Sequence, residues 1–250
     1  MDEEKDQSWF GNQRVAAARK TAMIRDVFSS VASKYDVMND AMSLGIHRLW
    51  KNEFVDWLRP RDGASYADIA GGTGDIAMRI RARAPQARVV VCDLTPAMIA
   101  HGRDRLIDMG RNEDEIAWVA GDAECLPLAD RSVEGVTIAF GLRNVTHIDR
   151  ALEECLRVLK HGGHFLCLEF SHLTAPALNR LYDLYSFQVL PRLGSWIAKD
   201  RDSYVYLAES IRRFPNQEEL AQRMRHVGFG NVRYRNLSFG IAAIHSGWRL

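Results

Sequence analysis

The chain lacks a charge excess of either sign. Its 250 residues carry Lys+Arg 33 against Asp+Glu 32, a formal net charge of +1. Without a basic surplus there is no global electrostatic attraction for nucleic acid, and none is expected as a partner. The short basic stretches, Arg79 to Arg83 and Arg212-Arg213, read as solvated helix faces. Cysteine is sparse and scattered: Cys92, Cys125, Cys155 and Cys167 form no C-x-x-C pair. That spacing speaks against a zinc site and a disulfide scaffold alike, so no metal and a reducing cytoplasm are expected. No apolar run approaches the ~20 residues that span a bilayer. The start, Met1-Asp2-Glu3-Glu4-Lys5-Asp6, has no apolar stretch behind a basic end, and no secretory leader is expected. Internal repeats, linkers and low-complexity tracts are missing too, which favours one domain.

What the chain does have is apolar residues, 47% of the total, in two alternating periods. The first ~20 residues are polar and are expected to be mobile or ordered only by ligand. Met23, Ile24, Val27, Phe28 and Val31 then recur at helical spacing over 21–35, and a second apolar-periodic stretch runs over 44–58. From residue 65 onward, short β-branched runs alternate with helical patterns. Strands are expected at 65–70, 88–92, 115–120, 133–140 and 164–170. Helices are expected at 74–84, from Pro96 to about 109 behind an N-cap at Thr95, and at 147–160 behind an N-cap at Thr146. Lys160 before Gly162-Gly163 suits the end of that last helix. Further helices are expected at 175–190, at 200–213 and at 217–227, the last opened by Asn216 with Glu219 three residues on. Strands at 231–237 and 240–246 close the chain. Strands alternating with helices predict a mostly parallel sheet covered on both faces.

The most informative segment is Asp68-Ile69-Ala70-Gly71-Gly72-Thr73-Gly74-Asp75, a glycine turn between the first strand of this series and the next helix. Such a turn lets a ligand approach the backbone closely. Asp93 ends the following strand, where an acidic side chain can accept hydrogen bonds from ribose hydroxyls. A nucleoside-containing ligand is implied. Gly72-x-Gly74-x-x-Ala77 also satisfies the loose dinucleotide pattern, so an NAD(P)-dependent oxidoreductase is a competing reading. Charge separates the two. Asp68 and Asp75 flank the loop, and a carboxylate about 5 Å from a phosphate costs about 3 kcal/mol at an effective dielectric near 20. The sulfonium and ammonium of S-adenosylmethionine would be attracted instead. Gly121-Asp122-Ala123-Glu124 follows the third strand, where Asp122 and the Ala123 backbone could meet an adenine.

At several further places the sequence resembles the ubiquinone/menaquinone biosynthesis C-methyltransferase family, over nearly its whole length. The matching motifs are Tyr35-Asp36-Val37-Met38-Asn39 with His47 and Trp50, then Ala70 to Asp75 and Thr137 to Val145. Arg157 to Lys160, Leu168 to Ser171, Tyr185 to Phe187, Val189 to Arg192 and Asp202 to Ile211 also match. The resemblance implies a Rossmann-like class I methyltransferase α/β fold: a mostly parallel seven-stranded sheet, helices on both faces and an N-terminal helical cap. In that division, 1–60 is the cap, 65–170 the donor-binding core, and 171–250 the substrate-side helices and closing strands. It implies methyl transfer from S-adenosylmethionine to a ring carbon of a polyprenylated benzoquinol or naphthoquinol. Donor contacts are expected at Asp68, Gly72, Thr73, Gly74, Asp93, Asp122 and Ala123. Arg143 and Asn144 are expected to face the transferred methyl, with Tyr35 and His47 next in rank and Asp36 and Asn39 beside them on the cap. Glu169 and His172 are expected at the rim. An aromatic-rich stretch, with Tyr182, Tyr185, Phe187, Trp196, Tyr204 and Tyr206, could line a tail channel or touch a bilayer. Peripheral contact with the inner face of the cytoplasmic membrane or with a quinone-biosynthesis complex is expected from the same resemblance. A homodimer is the oligomer considered. A non-catalytic assembly subunit built on this fold is the rival outside enzymes. Two departures from the family pattern stand out: His161 in place of proline before Gly162-Gly163, and Ala139 where some members carry serine.

Overall fold

The computed structural model describes residues 7–31, 40, 43, 45–174 and 201–250. Two short strands come first, β1 (Gln7–Phe10) and β2 (Gln13–Ala16), then helices α1 (Ala17–Val31) and α2 (His47–Leu58). The alternating part comprises β3 (Ser65–Ile69), α3 (Asp75–Arg83), β4 (Arg88–Asp93), α4 (Pro96–Asp108), β5 (Ala117–Ala120), β6 (Val133–Ala139), α5 (Ile148–Val158) and β7 (Leu159–Phe170). Helices α6 (Arg201–Arg213) and α7 (Gln217–Val227) lead to β8 (Gly230–Leu237) and β9 (Ala242–Trp248). The helix expected at 175–190 lies outside the described residues.

Seven strands form one sheet in the order β5-β4-β3-β6-β7-β9-β8. The pairings β3–β4, β4–β5, β3–β6 and β6–β7 are parallel, and β9 lies antiparallel between β7 and β8. Side-chain alternation divides the core in two. Tyr66, Leu166, Leu168 and Phe170 pack on one face with Trp50, Phe54, Ile76 and Ile80 of α2 and α3. Ala67, Ile69, Phe165 and Cys167 pack on the other with Leu152, Cys155, Leu220 and Met224 of α5 and α7. Burying a side chain such as Phe54 or Phe165 completely contributes about 1.5–3 kcal/mol each. Strand order reverses on either side of β3, and in open α/β sheets ligands bind at that crevice, beyond the carboxyl ends of the strands.

Three local expectations are corrected. Residues 7–16 form a hairpin, pinned by contacts to a distant helix: Asn12 donates to Glu209 through its backbone N–H at 2.9 Å and its side chain at 2.8 Å. Helix α5 begins after His147, because the Glu124 carboxylate caps the N–H groups of Thr146 and His147 at 2.9 and 2.8 Å. That helix ends at Val158, since Leu159 already pairs with Val133 as the start of β7. Thr95 is the N-cap of α4 with Pro96 at the first helical position, as expected, but its side chain makes no capping bond; Asp93 accepts from the Thr95 N–H at 2.8 Å.

Candidate active site

A cavity of about 700 Å³, counting its mouth, opens at the carboxyl ends of β3, β4 and β6. Its floor is the turn after β3. Gly72 has φ +56°, where a side chain would be strained, and a Cβ there would stand 3.0 Å from Met98. Ala70 and Phe140, at the ends of β3 and β6, also adopt left-handed conformations (φ +50° and +57°). Such residues cost of order 1–3 kcal/mol each and persist only where surroundings enforce them. Gly141 packs against Ala70 so closely that a Cβ would lie 2.6 Å from the alanine methyl. These two bent loops shape the bottom of the cavity.

Asp93 ties the floor together. One carboxylate oxygen accepts from the Gly72 N–H at 2.8 Å, the other from the Thr95 N–H, and its carbonyl accepts from Gly121 at 3.0 Å. The Thr95 side chain also bonds this carboxylate, and a carboxylate with about four acceptor sites still has capacity for a ligand hydroxyl. Burial raises the Asp93 carboxyl above its usual range, and the bonds from Thr95 and Gly72 oppose that rise. Asp122 closes the next loop by accepting from the Glu124 N–H at 2.9 Å, and it lines the cavity with Ala123 and Glu124. The far wall is Phe140, Gly141, Asn144, Val145 and Thr146, and α1 contributes Thr21, Ile24 and Phe28.

Of the residues singled out from sequence, Gly72, Asp93, Asp122, Ala123 and Asn144 therefore stand on the cavity wall. Asp68, Thr73, Gly74, Arg143 and His47 are not among the described residues that line it. Thr73 and Gly74 turn the chain into α3, where Gly74 (φ +74°) is covered by the Trp118 indole. Tyr35, Asp36 and Asn39 lie outside the described residues, as do Tyr182, Tyr185, Phe187 and Trp196.

The negative wall expected from Asp68 and Asp75 needs correction. Asp75 is claimed by Lys51 at 2.8 Å and Arg79 at 3.3 Å. Although burial opposes it, these cations hold the Asp75 carboxyl at about 2. Asp68 is fully buried beneath the loop, accepts from the Thr137 hydroxyl at 2.9 Å, and is pushed by burial to about 7. Neither presents a free charge to the cavity. The acidic groups that do line it are Asp93, Asp122 and Glu124.

Arg143, expected to face the transferred methyl, is paired with Glu169 instead. Nη1 of Arg143 lies 2.8 Å from Glu169, which also accepts from the Arg143 and Phe170 backbone N–H groups at 3.3 and 2.9 Å. The same guanidinium donates to the Phe140 carbonyl, so it braces the bent loop that ends β6. Both side chains are 1% exposed. His47 is likewise interior, bonded to Ser43 through Nδ1 at 3.1 Å with Asp40 3.7 Å from Nε2. Burial, aided by Lys51, lowers His47 to about 4. His172 Nε2 donates to the Phe214 carbonyl, 2.9 Å away.

Sequence reasoning passed over several residues. Glu124 was quoted in a motif without a role, yet it caps α5 and binds His147 Nδ1 at 2.6 Å. Lys20 is buried beside it and donates to the Val145 carbonyl at 2.9 Å; burial lowers it to about 8, against the pull of Glu124. The helical spacing of Ile24 and Phe28 was visible and the N-terminal helices were expected to cap the site; Thr21, Ile24 and Phe28 of α1 do line the cavity.

The sequence pattern of the ubiE/COQ5 methyltransferase family matches residues 15–249. The chain belongs to that family. It is 55% identical over 248 residues to the ubiquinone/menaquinone biosynthesis C-methyltransferase of Paracoccus denitrificans, covering 99% of each chain. It is 49% identical to the mitochondrial 2-methoxy-6-polyprenyl-1,4-benzoquinol methylase of Oryza sativa subsp. japonica, covering 96% of this chain and 88% of the relative. Among solved structures, a SAM-dependent methyltransferase from Thermotoga maritima superposes with a TM-score of 0.63 at 21% identity, over 91% of this chain and all of that one. The [4+2]-cyclase SpnF gives 0.60 at 16% identity, over 79% and 80% of the two chains. At those identities the likeness establishes the Rossmann-like fold alone; the family match makes the chain an S-adenosylmethionine-dependent methyltransferase. The carboxylates and glycine turn on the cavity wall suit a nucleoside with a cationic tail.

Proposed function

We propose that this methyltransferase acts on a ring carbon of a polyprenylated benzoquinol or naphthoquinol, the step named for its ubiquinone and menaquinone relatives. Gly72, Asp93, Asp122 and Ala123 would hold S-adenosylmethionine, which supplies the electrophilic methyl when bound. The observation carrying the assignment of roles is the position of Asn144, at the end of the one-turn helix that follows β6 and on the wall of the same cavity as Asp93 and Asp122. A ring carbon becomes nucleophilic when a neighbouring hydroxyl gives up its proton or is strongly hydrogen-bonded, so a donor aimed at that oxygen lowers the barrier. Asn144 offers such a donor. Arg143, its charge already shared with Glu169, acts behind the wall by holding the Phe140 carbonyl and the loop that presents Asn144. Tyr35 is the further candidate on the cap.

In the same reading the protein meets its substrate as a peripheral protein on the inner face of the cytoplasmic membrane. No helix among the described residues is long and apolar enough to cross one. Ile46, Leu49 and Phe239 are exposed apolar side chains, and a 3.0 Å bond from Trp50 Nε1 to Ser238 Oγ sets their two segments side by side. Sedimentation with anionic lipid vesicles should fall when Leu49 and Phe239 are changed to Glu; no binding by the parent chain contradicts this placement. The reaction itself is tested by mass spectrometry of quinones from cells lacking the protein. A quinone missing one ring methyl should accumulate, and an unchanged quinone profile would remove the assignment.

A further inference from the structure

We infer that Tyr206 is a positioning residue that fixes the amide of Asn144, turning its Nδ2 hydrogens toward the cavity as donors to the quinol oxygen. The inference rests on the quinol reading above and concerns how one wall residue is oriented. Asn144 ends the one-turn helix 142–144 after β6, whereas Tyr206 comes from α6, some sixty residues further along the chain. The phenol donates to Asn144 Oδ1 at 3.0 Å. Among the described residues Nδ2 has no acceptor, and Asn144 lines the cavity.

An asparagine amide is nearly symmetric in shape, so sterics alone do not choose between its two orientations. A committed donor on one side does. If Oδ1 instead faced the cavity, a lone pair would oppose an oxygen gaining negative charge. With Nδ2 there, the hydrogen bond strengthens as that charge develops, which accelerates the chemical step more than it tightens ground-state binding. Tyr206 is well fitted to its part. It is buried, and the Phe10 ring from the N-terminal hairpin stacks on it at 4.2 Å and 18°. Burial, with Glu169 nearby, pushes its hydroxyl up to about 12, so it keeps its proton and remains a donor through the neutral range. Arg143 bonds elsewhere, its Nη1 donating to Glu169 and to the Phe140 carbonyl.

A double-mutant cycle on the full chain tests this, using S-adenosylmethionine and a reduced short-tailed quinol. Tyr206→Phe should lower kcat about tenfold while quinol KM and donor Kd stay within about twofold, and Asn144→Ala should lower kcat about a hundredfold. The double variant should match Asn144→Ala within about twofold, since residues acting as one unit are not additive. Calorimetric donor binding and the melting temperature serve as folding controls. A double variant about tenfold worse than Asn144→Ala, or wild-type kcat in Tyr206→Phe, overturns the inference. So does a Tyr206→Phe chain whose loss appears in donor binding and melting together, the mark of a purely structural role. A wild-type chain that methylates no quinol ring fails the functional reading and takes the inference with it; additive losses in an active wild type fail the inference alone.

Discussion

Replacing Asp68 by Asn should make the protein more stable at pH 8 and leave it no more stable at pH 5. Asp68 is fully buried, its Oδ1 accepts from Thr137, and its Oδ2 has no partner. Burial raises its carboxyl from 3.8 to about 7. Between those values the folded chain holds a proton that the unfolded chain has released, so stability falls as pH rises through the window. A rise of that size corresponds to about 4 kcal/mol of ionisation penalty once the pH exceeds 7. An asparagine keeps the shape and the bond from Thr137 and cannot ionise. Its amide hydrogens meet the unpartnered side, which costs about 1–3 kcal/mol. The net gain expected at pH 8 is therefore about 1–3 kcal/mol, vanishing or reversing near pH 5. Denaturant unfolding of both chains at pH 5, 6, 7 and 8 reads this directly. Stability curves that run parallel over the whole range would refute it. Donor affinity provides a second discrimination: if Asp68 meets the donor's cation, Asp68→Asn should weaken binding of S-adenosylmethionine at least tenfold, and a residue beneath the loop should not.

Glu169→Ala leaves the Arg143 guanidinium buried without its carboxylate and should cost about 3–5 kcal/mol in denaturant unfolding; a loss under about 1 kcal/mol would mean water replaces Glu169 without strain. Asp93→Ala removes the acceptor that joins Gly72 to Thr95, so calorimetry should show donor affinity reduced at least tenfold, and unchanged affinity would displace Asp93 from the site. His47, held near 4, stays neutral from pH 5 to 8, and His47→Asn should leave the shape of the pH–rate profile unaltered there. Loss of a kinetic limb near pH 6 in that variant would restore His47 as the base. Because its folded value is depressed, wild-type stability should also decline as pH falls from 6.5 toward 4.

Most of the architecture was legible because it depends on local pattern. The β-branched runs at 88–92 and 133–140 declared buried parallel strands, and Asn216 with Glu219 announced α7 through a capping box that the structure contains, with bonds of 3.0 and 2.9 Å. The misreadings share one cause. The hairpin at 7–16 draws its order from Glu209, Tyr206 and Arg213, whose guanidinium lies 3.7 Å over the Trp9 ring, all some two hundred residues distant. The start of α5 is set by Glu124, a cap reaching in from another loop. Within the site, the glycine turn and Asp93 could be read because a strand–turn–helix spacing fixes them. The charge argument built on Asp68 and Asp75 failed as drawn, since sequence shows how many carboxylates flank a loop but not that Lys51 takes one and burial mutes the other. The acidic lining was nevertheless present, supplied by Asp93, Asp122 and Glu124.

Methyl transfer onto a quinol ring carbon can be followed directly with an isotopic label. Purified protein, S-adenosylmethionine bearing a trideuterated methyl, and a reduced short-tailed demethylated quinol should yield a product heavier by one labelled methyl, with fragmentation placing the label on the ring. Label found on a quinol oxygen, or none transferred while the protein binds the donor, would contradict the account.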